Sequence, residues 1–261
     1  MYALSDLEAL LPVVDDLRTA CEAQGIPADA AVSEAAPGQF ELNLHHRRNP
    51  LLAADDVVML RRLVAGVARK HQLKASFMAK PFVEWPGNGM HVHVSMEDEK
   101  GNFFADPDKG GERLHFAING LFENHAGGVA PLHLHLQRLP PHAARAPMRL
   151  PRSAGASTTA PLRCAFRHPA RKPPAWSTGS RGADANPYLV LTGILAGMME
   201  GLRLKKDPPA PVTGNAYEKR KKRLTPWMDE AIDAFEASRL MKQAVGKRDA
   251  QGPDRDQAGG A

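Results

Sequence analysis

Apolar residues recur at helical spacing near the start of the chain, where Leu7, Leu10, Leu11, Val14 and Leu17 follow a 3.6-residue period. With Ser5 as N-cap, they predict a helix to about residue 22, ended by Gly25-Ile26-Pro27. The period then shortens to two. Strands are expected over 30–35 and 39–45, joined through Pro37-Gly38. Asn49-Pro50 reads as a break, and a long helix over 53–71 follows, with Val58, Leu60, Leu63, Val64 and Val67 apolar. Next come a strand over 74–79, a strand over 90–96 entered through Gly87-Asn88-Gly89, a turn at 98–102 and a helix over 112–124. Asn186-Pro187 opens an apolar helix to about 202, with proline in the first turn as helix starts favour. A last helix is expected over 226–245, and the polar tail from 246 reads as disordered.

Between these patterned parts lies a stretch with neither period. Residues 131–182 hold nine Lys or Arg, no Asp or Glu, and nine of the chain's 22 prolines. Poor order is expected there, because little patterned apolar surface offsets the entropy of ordering the chain. The formal net charge of +5 belongs to this segment, and the remainder is mildly acidic. The basicity therefore does not argue for nucleic acid, and none is expected as a partner. The run at 219–223, KRKKR, has no aromatic platform beside it and reads as a solvated loop.

The 261 residues can bury a core as one large domain or two small ones, and 43% hydrophobic content suits a globular chain. No apolar run is long enough to span a membrane, and the N-terminus lacks a signal-peptide pattern. Cys21 and Cys164 lack metal-site spacing and suggest a reducing compartment, the cytoplasm.

The candidate chemistry sits on the short strands. Glu41, Asn43 and His45 alternate and so share one strand face, with Glu34 across the turn. His91, His93 and Ser95 alternate in the same way. Two carboxylates and an imidazole on neighbouring strands suit a hard divalent cation such as Mg²⁺ or Mn²⁺, and a further imidazole and a hydroxyl suit phosphate oxygens. The same residues also suit a solvated hairpin and a surface histidine pair, and spacing alone leaves these alternatives open.

The words at these positions carry more. AAPGQFELN at 35–43, SFMAKP at 76–81 and PGNGMHVHVS at 86–95 resemble, in order and spacing, the catalytic domain of the glutamine synthetase family. ADANPYL at 183–189 resembles the segment after that family's last catalytic motif. The stretch from Cys21 to Arg47 is most similar to the γ-glutamylpolyamine synthetase branch. The resemblance covers 1–124 and 182 to about 238. It implies an α+β fold, part of a glutamine synthetase-type catalytic domain, with an antiparallel sheet and flanking helices. Residues 1–130 would be the part bearing the metal and ATP strands, 183–245 the helical C-terminal part, and 246–261 a tail.

The resemblance also implies a function in nitrogen or polyamine metabolism: ATP-dependent ligation of glutamate to a small amine through γ-glutamyl phosphate, in a homo-oligomer. Glu34 and Glu41 match ligands of the metal on the glutamate side. His91 matches a ligand of the metal that holds the ATP phosphates, His93 and Ser95 match phosphate contacts, and Gly87 lies in the loop that contacts glutamate. No general acid or base is assigned.

Departures from the pattern are equally specific. The family's N-terminal β-grasp domain and an early pair of metal-binding glutamates have no counterpart here. An asparagine–tyrosine–arginine stretch, a Trp-Gly-x-x-Asn-Arg stretch and a Glu-x-Arg should all fall inside 131–182, and none does. Back-translation with a one-base offset restores them in order. Ala154-Gly155 then permits Trp, the following codons permit Gly-Val-Asp-Asn-Arg, and Trp176-Ser177 permits Glu followed by His-Arg. Read the other way, 132–141 permits a run ending Asn-Ala-Tyr-Arg-Arg. The segment thus reads as out of frame, against the alternative of a genuine Arg/Pro-rich insertion, and the chain is expected to be inactive as written. The competing classes are a catalytically dead or regulatory remnant and a nonspecific nucleic-acid binder.

Overall fold

The computed structural model describes residues 4–82, 84–99, 101–105, 110–124, 176–208 and 228–246. It divides into two compact units, one of described residues up to Asn88 and one of those from Gly89 onward.

The first unit opens with α1, Leu4–Ala23. The helix starts before Ser5, which therefore lies in its first turn and not at the cap. Its apolar stripe buries Leu17 and Cys21, whereas Leu11, about a third of a turn away, is exposed. The end is a Schellman motif: Gly25 takes φ +66°, its N–H donates to Glu22, and the N–H of Ile26 donates to Cys21. Ile26 itself is buried. The chain then forms β1, Ala28–Ser33, and β2, Phe40–Leu44, paired antiparallel with Val32 opposite Glu41 and Ser33 opposite Phe40.

Helix α2 spans Pro50–Lys70. Asn49-Pro50 is its start and not a break: Asn49 Oδ1 accepts the N–H of Leu51 at 2.9 Å, and Pro50 occupies the first turn, where a missing N–H costs nothing. Leu60, Leu63 and Val67 of α2 pack with Leu17, Cys21 and Ile26, and Leu42 and Leu44 of β2 close the cluster. Val58 faces outward. Arg47 grips Asp56 with Nε and Nη2 and donates to the carbonyl of Gly25, tying the end of α1 to α2. The expected strand over 74–79 is irregular, since among the described residues it finds no partner for a ladder.

In the second unit β3, Gly89–Val94, leads through a small hairpin of β4, Glu97–Asp98, and β5, Gly101–Asn102, to α3, Gly110–Glu123. Strand β6, Trp176–Gly182, pairs antiparallel with β3. Here the outcome differs from the sequence expectation, because the last seven residues of the basic segment form regular structure. Backbone pairing makes no demand for an apolar pattern, and β3 presents an edge to it. Residues 131–175 lie outside the described residues.

Helix α4, Pro187–Leu204, is capped by Asn186, whose Oδ1 accepts the N–H groups of Tyr188 and Leu189. It packs along α3 in a core of Leu114, Ala117, Ile118, Leu121, Val190, Ile194 and Met198, with Met90, Val92 and Val94 of β3 against it. The last expected helix is two, α5 Met228–Ala237 and α6 Arg239–Val245. Ser238 divides them, since its hydroxyl caps the second by accepting the N–H of Met241. No helix among the described residues is long and apolar enough to cross a membrane.

Candidate functional site

The pleat of β1 and β2 decides where the carboxylates go. Leu42 and Leu44 turn into the core, so Glu41 and Asn43 belong to the opposite face. The N–H of Glu34 donates to the carbonyl of Gln39 at 2.8 Å, which extends the ladder by one pair. Alternation therefore sets Glu34 on the face of Glu41. Both residues are half-buried, and Glu34 Oε2 accepts the N–H of Ala35 at 3.1 Å. His45, at the strand's end, is exposed and lies 3.9 Å from Asp29.

Gly87 belongs to the same unit. Asn88 donates its N–H to the carbonyl of Ala79 and its Nδ2 to that of Met78, which closes 78–88 into a tight loop. A Cβ on Gly87 would overlap the Ala79 carbonyl, so only glycine fits. Lys80 Nζ donates to the carbonyl of Trp85 across the loop. Burial pulls the Lys80 ammonium below its usual range.

Sequence reading passed over Gln39. Its Nε2 donates to Asn88 Oδ1 at 2.7 Å and to the Gly87 carbonyl at 3.1 Å, while its Oε1 accepts the N–H of Ala36. Gln39 and Asn88 stood inside the motifs PGQFE and PGNGM, but their value there was as words and not as hydrogen-bonding groups.

In the second unit, His91 and His93 lie on the exposed side of β3, while Met90, Val92 and Val94 face the core. Ser95 follows them, also exposed. The expected alternation is present. Ser177 of β6 stands opposite His93 and Trp176 opposite Val94. Among the described residues no three His, Cys, Asp or Glu side chains are gathered closely enough to hold a metal ion. The candidate residues thus fall into two sets, Glu34, Glu41 and Gly87 in the first unit and His91, His93 and Ser95 in the second.

The sequence matches the model of the glutamine synthetase catalytic domain over residues 1–251. The chain belongs to the glutamine synthetase family. The match spans the basic segment as well as its flanks. Among similar proteins, the γ-glutamylputrescine synthetase PuuA of Escherichia coli (strain K12) is 34% identical over 258 residues, 95% of this chain and 53% of that protein. A Thermus thermophilus glutamine synthetase is 33% identical over 249 residues, covering 89% of this chain and 54% of its own length. A glutamate–isopropylamine ligase of Pseudomonas sp is 29% identical over 265 residues. The chain therefore spans about half the length of the curated relatives it matches. Among solved structures, one titled as a GmaS/ADP complex superposes with a TM-score of 0.77 at 26% identity, over 96% of this chain and 59% of that one. The α+β architecture with small antiparallel ladders is thus that of a glutamine synthetase-type catalytic domain.

Proposed function

We propose that the protein is an ATP-dependent glutamate–amine ligase working through γ-glutamyl phosphate, and that this chain as written keeps binding groups but turns over poorly. One observation supports it above others: the family's two carboxylate positions, Glu34 and Glu41, fall on one hairpin face with the core on the other. In the first step a glutamate γ-carboxylate oxygen attacks the γ-phosphorus of ATP, and the bond to ADP breaks. The amine nitrogen then attacks the acyl carbon, a C–N bond forms, the C–O bond to phosphate breaks, and the nitrogen's proton leaves with the phosphate.

Oxygen donors of this kind fit a hard divalent ion, Mg²⁺ or Mn²⁺. Glu34 and Glu41 would hold the ion on the glutamate side, and His91 would be one ligand of a second. When bound, such ions neutralise charge on the transferring phosphoryl group. His93 and Ser95 would donate to phosphate oxygens. The loop of Gly87 would present backbone groups to glutamate. The acceptor class is a small amine, since two of the relatives are named for ligation to putrescine and isopropylamine. A homo-oligomer in the cytoplasm completes the proposal.

The test is Mn²⁺ binding followed by electron paramagnetic resonance, alongside phosphate release dependent on ATP and glutamate. Binding by the chain and its loss in the double variant Glu34→Gln, Glu41→Gln are expected. Equal binding by the double variant would refute the assignment.

A further inference from the structure

We infer that Gln39 is a positioning residue that links the cation face of the hairpin to the loop of Gly87 and Asn88, so that the loop answers to the cation. The inference rests on the cation at Glu34 and Glu41 proposed above. Three observations lead to it. First, Gln39 belongs by backbone to the hairpin, where its carbonyl accepts the N–H of Glu34 at 2.8 Å and its own N–H donates to Ala36 at 3.1 Å. A shift of Glu34 onto an ion therefore moves Gln39 directly. Second, its side-chain amide crosses 48 and 49 positions of sequence to reach the Gly87 carbonyl and Asn88 Oδ1, so one NH₂ group holds two consecutive loop residues. Third, the loop is braced internally, so a pull on Gly87 and Asn88 carries it as one body. Asn88 is tied to Ala79 and Met78, Lys80 to Trp85, and Gly87 sits where no Cβ fits.

The geometry makes Gln39 a strut between two internally braced parts, so movement of one is passed to the other. Both hydrogens of its amide are committed to the loop, and its oxygen is committed to Ala36. No other side chain of similar length supplies two donors and an acceptor in this arrangement. Glutamate loses the donors, leucine loses everything, and asparagine is one methylene short. The consequence is coupling. A cation that fixes Glu34 and Glu41 also fixes the register of the Gly87 carbonyl and of the Asn88 amide, the groups beside which a substrate carboxylate would sit.

Trp85 reports on the loop, because its carbonyl takes the Lys80 ammonium and its ring, tilted against that of Phe82 with centroids 4.8 Å apart, stands exposed. The experiment uses the full chain labelled with 5-fluorotryptophan, the Trp85 resonance being assigned with Trp85→Phe. Mg²⁺ is titrated by ¹⁹F NMR, and Mn²⁺ affinity is measured separately by electron paramagnetic resonance. Variants are Gln39→Leu and Asn88→Asp, the second keeping the Oδ1 acceptor for Gln39 while losing the bond to Met78.

The Trp85 resonance is expected to move with Mg²⁺ in the parent and in Asn88→Asp but to stay fixed in Gln39→Leu. Mn²⁺ affinity should remain within about threefold across the three, the scatter expected when the site itself is untouched. A loop held for stability alone would show no Mg²⁺ response in the parent. That result, or an equal response in Gln39→Leu, with Mn²⁺ still bound, overturns the role of Gln39 and leaves the cation site standing. Failure of the parent to bind Mn²⁺ removes the cation site and this inference with it.

Discussion

Gly120 of α3 and Gly201 of α4 meet backbone to backbone: a Cβ on Gly201 would lie 2.7 Å from Gly120 N and 2.9 Å from Gly120 Cα. Gly197, one turn before Gly201, faces Leu121, whose Cδ2 would lie 3.0 Å from a Cβ there. The crossing of the two helices is set by the absence of side chains, and the rest of the core packs around it.

Gly201→Ala should therefore destabilise the chain. Overpacking a tight core typically costs about 1–3 kcal/mol, and backbone neighbours that cannot rotate away place this case at the upper end. The gain in helix propensity of about 1 kcal/mol offsets only part. Gly66 of α2 is the control, since nothing lies within 4 Å of a Cβ built there. Gly66→Ala should stabilise by roughly 0.5–1 kcal/mol. Urea midpoints of the two variants should move in opposite directions, and a common direction would contradict the packing described.

The Asn-Pro dipeptides give a second pair. Asn49 and Asn186 each cap a helix whose next residue is proline. Replacing either with alanine should cost about 1 kcal/mol, and replacement with serine or aspartate should cost much less. Chemical denaturation of the single variants checks this directly.

These two caps also show what was legible in the sequence. Asn186-Pro187 precedes an apolar run and declares itself as a helix start. Asn49-Pro50 precedes Leu51, Leu52 and two aspartates, and so reads as a break although the capping physics is the same. The strand pairs of the hairpin and the alternation of His91 and His93 were visible because pleat and period coincide. The irregular course of 74–79 was not, because whether an extended segment becomes a strand depends on a partner far away in sequence. Strand β6 was hidden for the same reason: β3 pairs with its backbone, whatever its side chains. The motifs marked Glu34, Glu41 and Gly87 as candidate groups, but the Gln39 strut joins segments nearly fifty positions apart and is visible only in the fold.

Asp16 joins α1 to the end of α2. Lys70 Nζ and His71 Nε2 both lie 2.7 Å from its Oδ2. The hydrogen bond from Lys70, and then that from His71, hold its carboxyl below the ordinary value of 3.8. A depressed folded-state pKa gives stability that is present above the unfolded value and lost as pH falls through the folded one. The urea midpoint of the parent should thus fall as pH drops below about 4. Asp16→Asn should be less stable at neutral pH and flatter across that acid range. Identical pH profiles would show that the pair contributes nothing measurable, as exposed ion pairs sometimes do.

The last prediction concerns the basic segment, and it is best tested apart from the length of the chain. If residues 131–182 are out of frame, the arginines that the family resemblance places there are missing, and so is the Glu-x-Arg expected where Trp176 and Ser177 now stand. Strand β6 keeps the backbone pairing with β3, including Ser177 opposite His93. At β6 the loss is therefore of side-chain chemistry and not of backbone pairing. Loss of one preorganised electrostatic group typically costs about 10²–10³ in rate, though groups that act as a unit do not multiply. Grafting residues 131–182 in place of the matching segment of the Escherichia coli γ-glutamylputrescine synthetase should lower its turnover by at least about 10²-fold. The frame-restored version of the segment, grafted in the same place, should retain turnover within the ordinary enzyme range of about 1–10³ s⁻¹. Circular dichroism and nucleotide binding by both chimeras separate lost chemistry from lost folding. Full activity in the graft as written would show that this Arg/Pro-rich segment is a working insertion. Failure of the frame-restored graft, in a chimera that folds, would show that the offset motifs are coincidence.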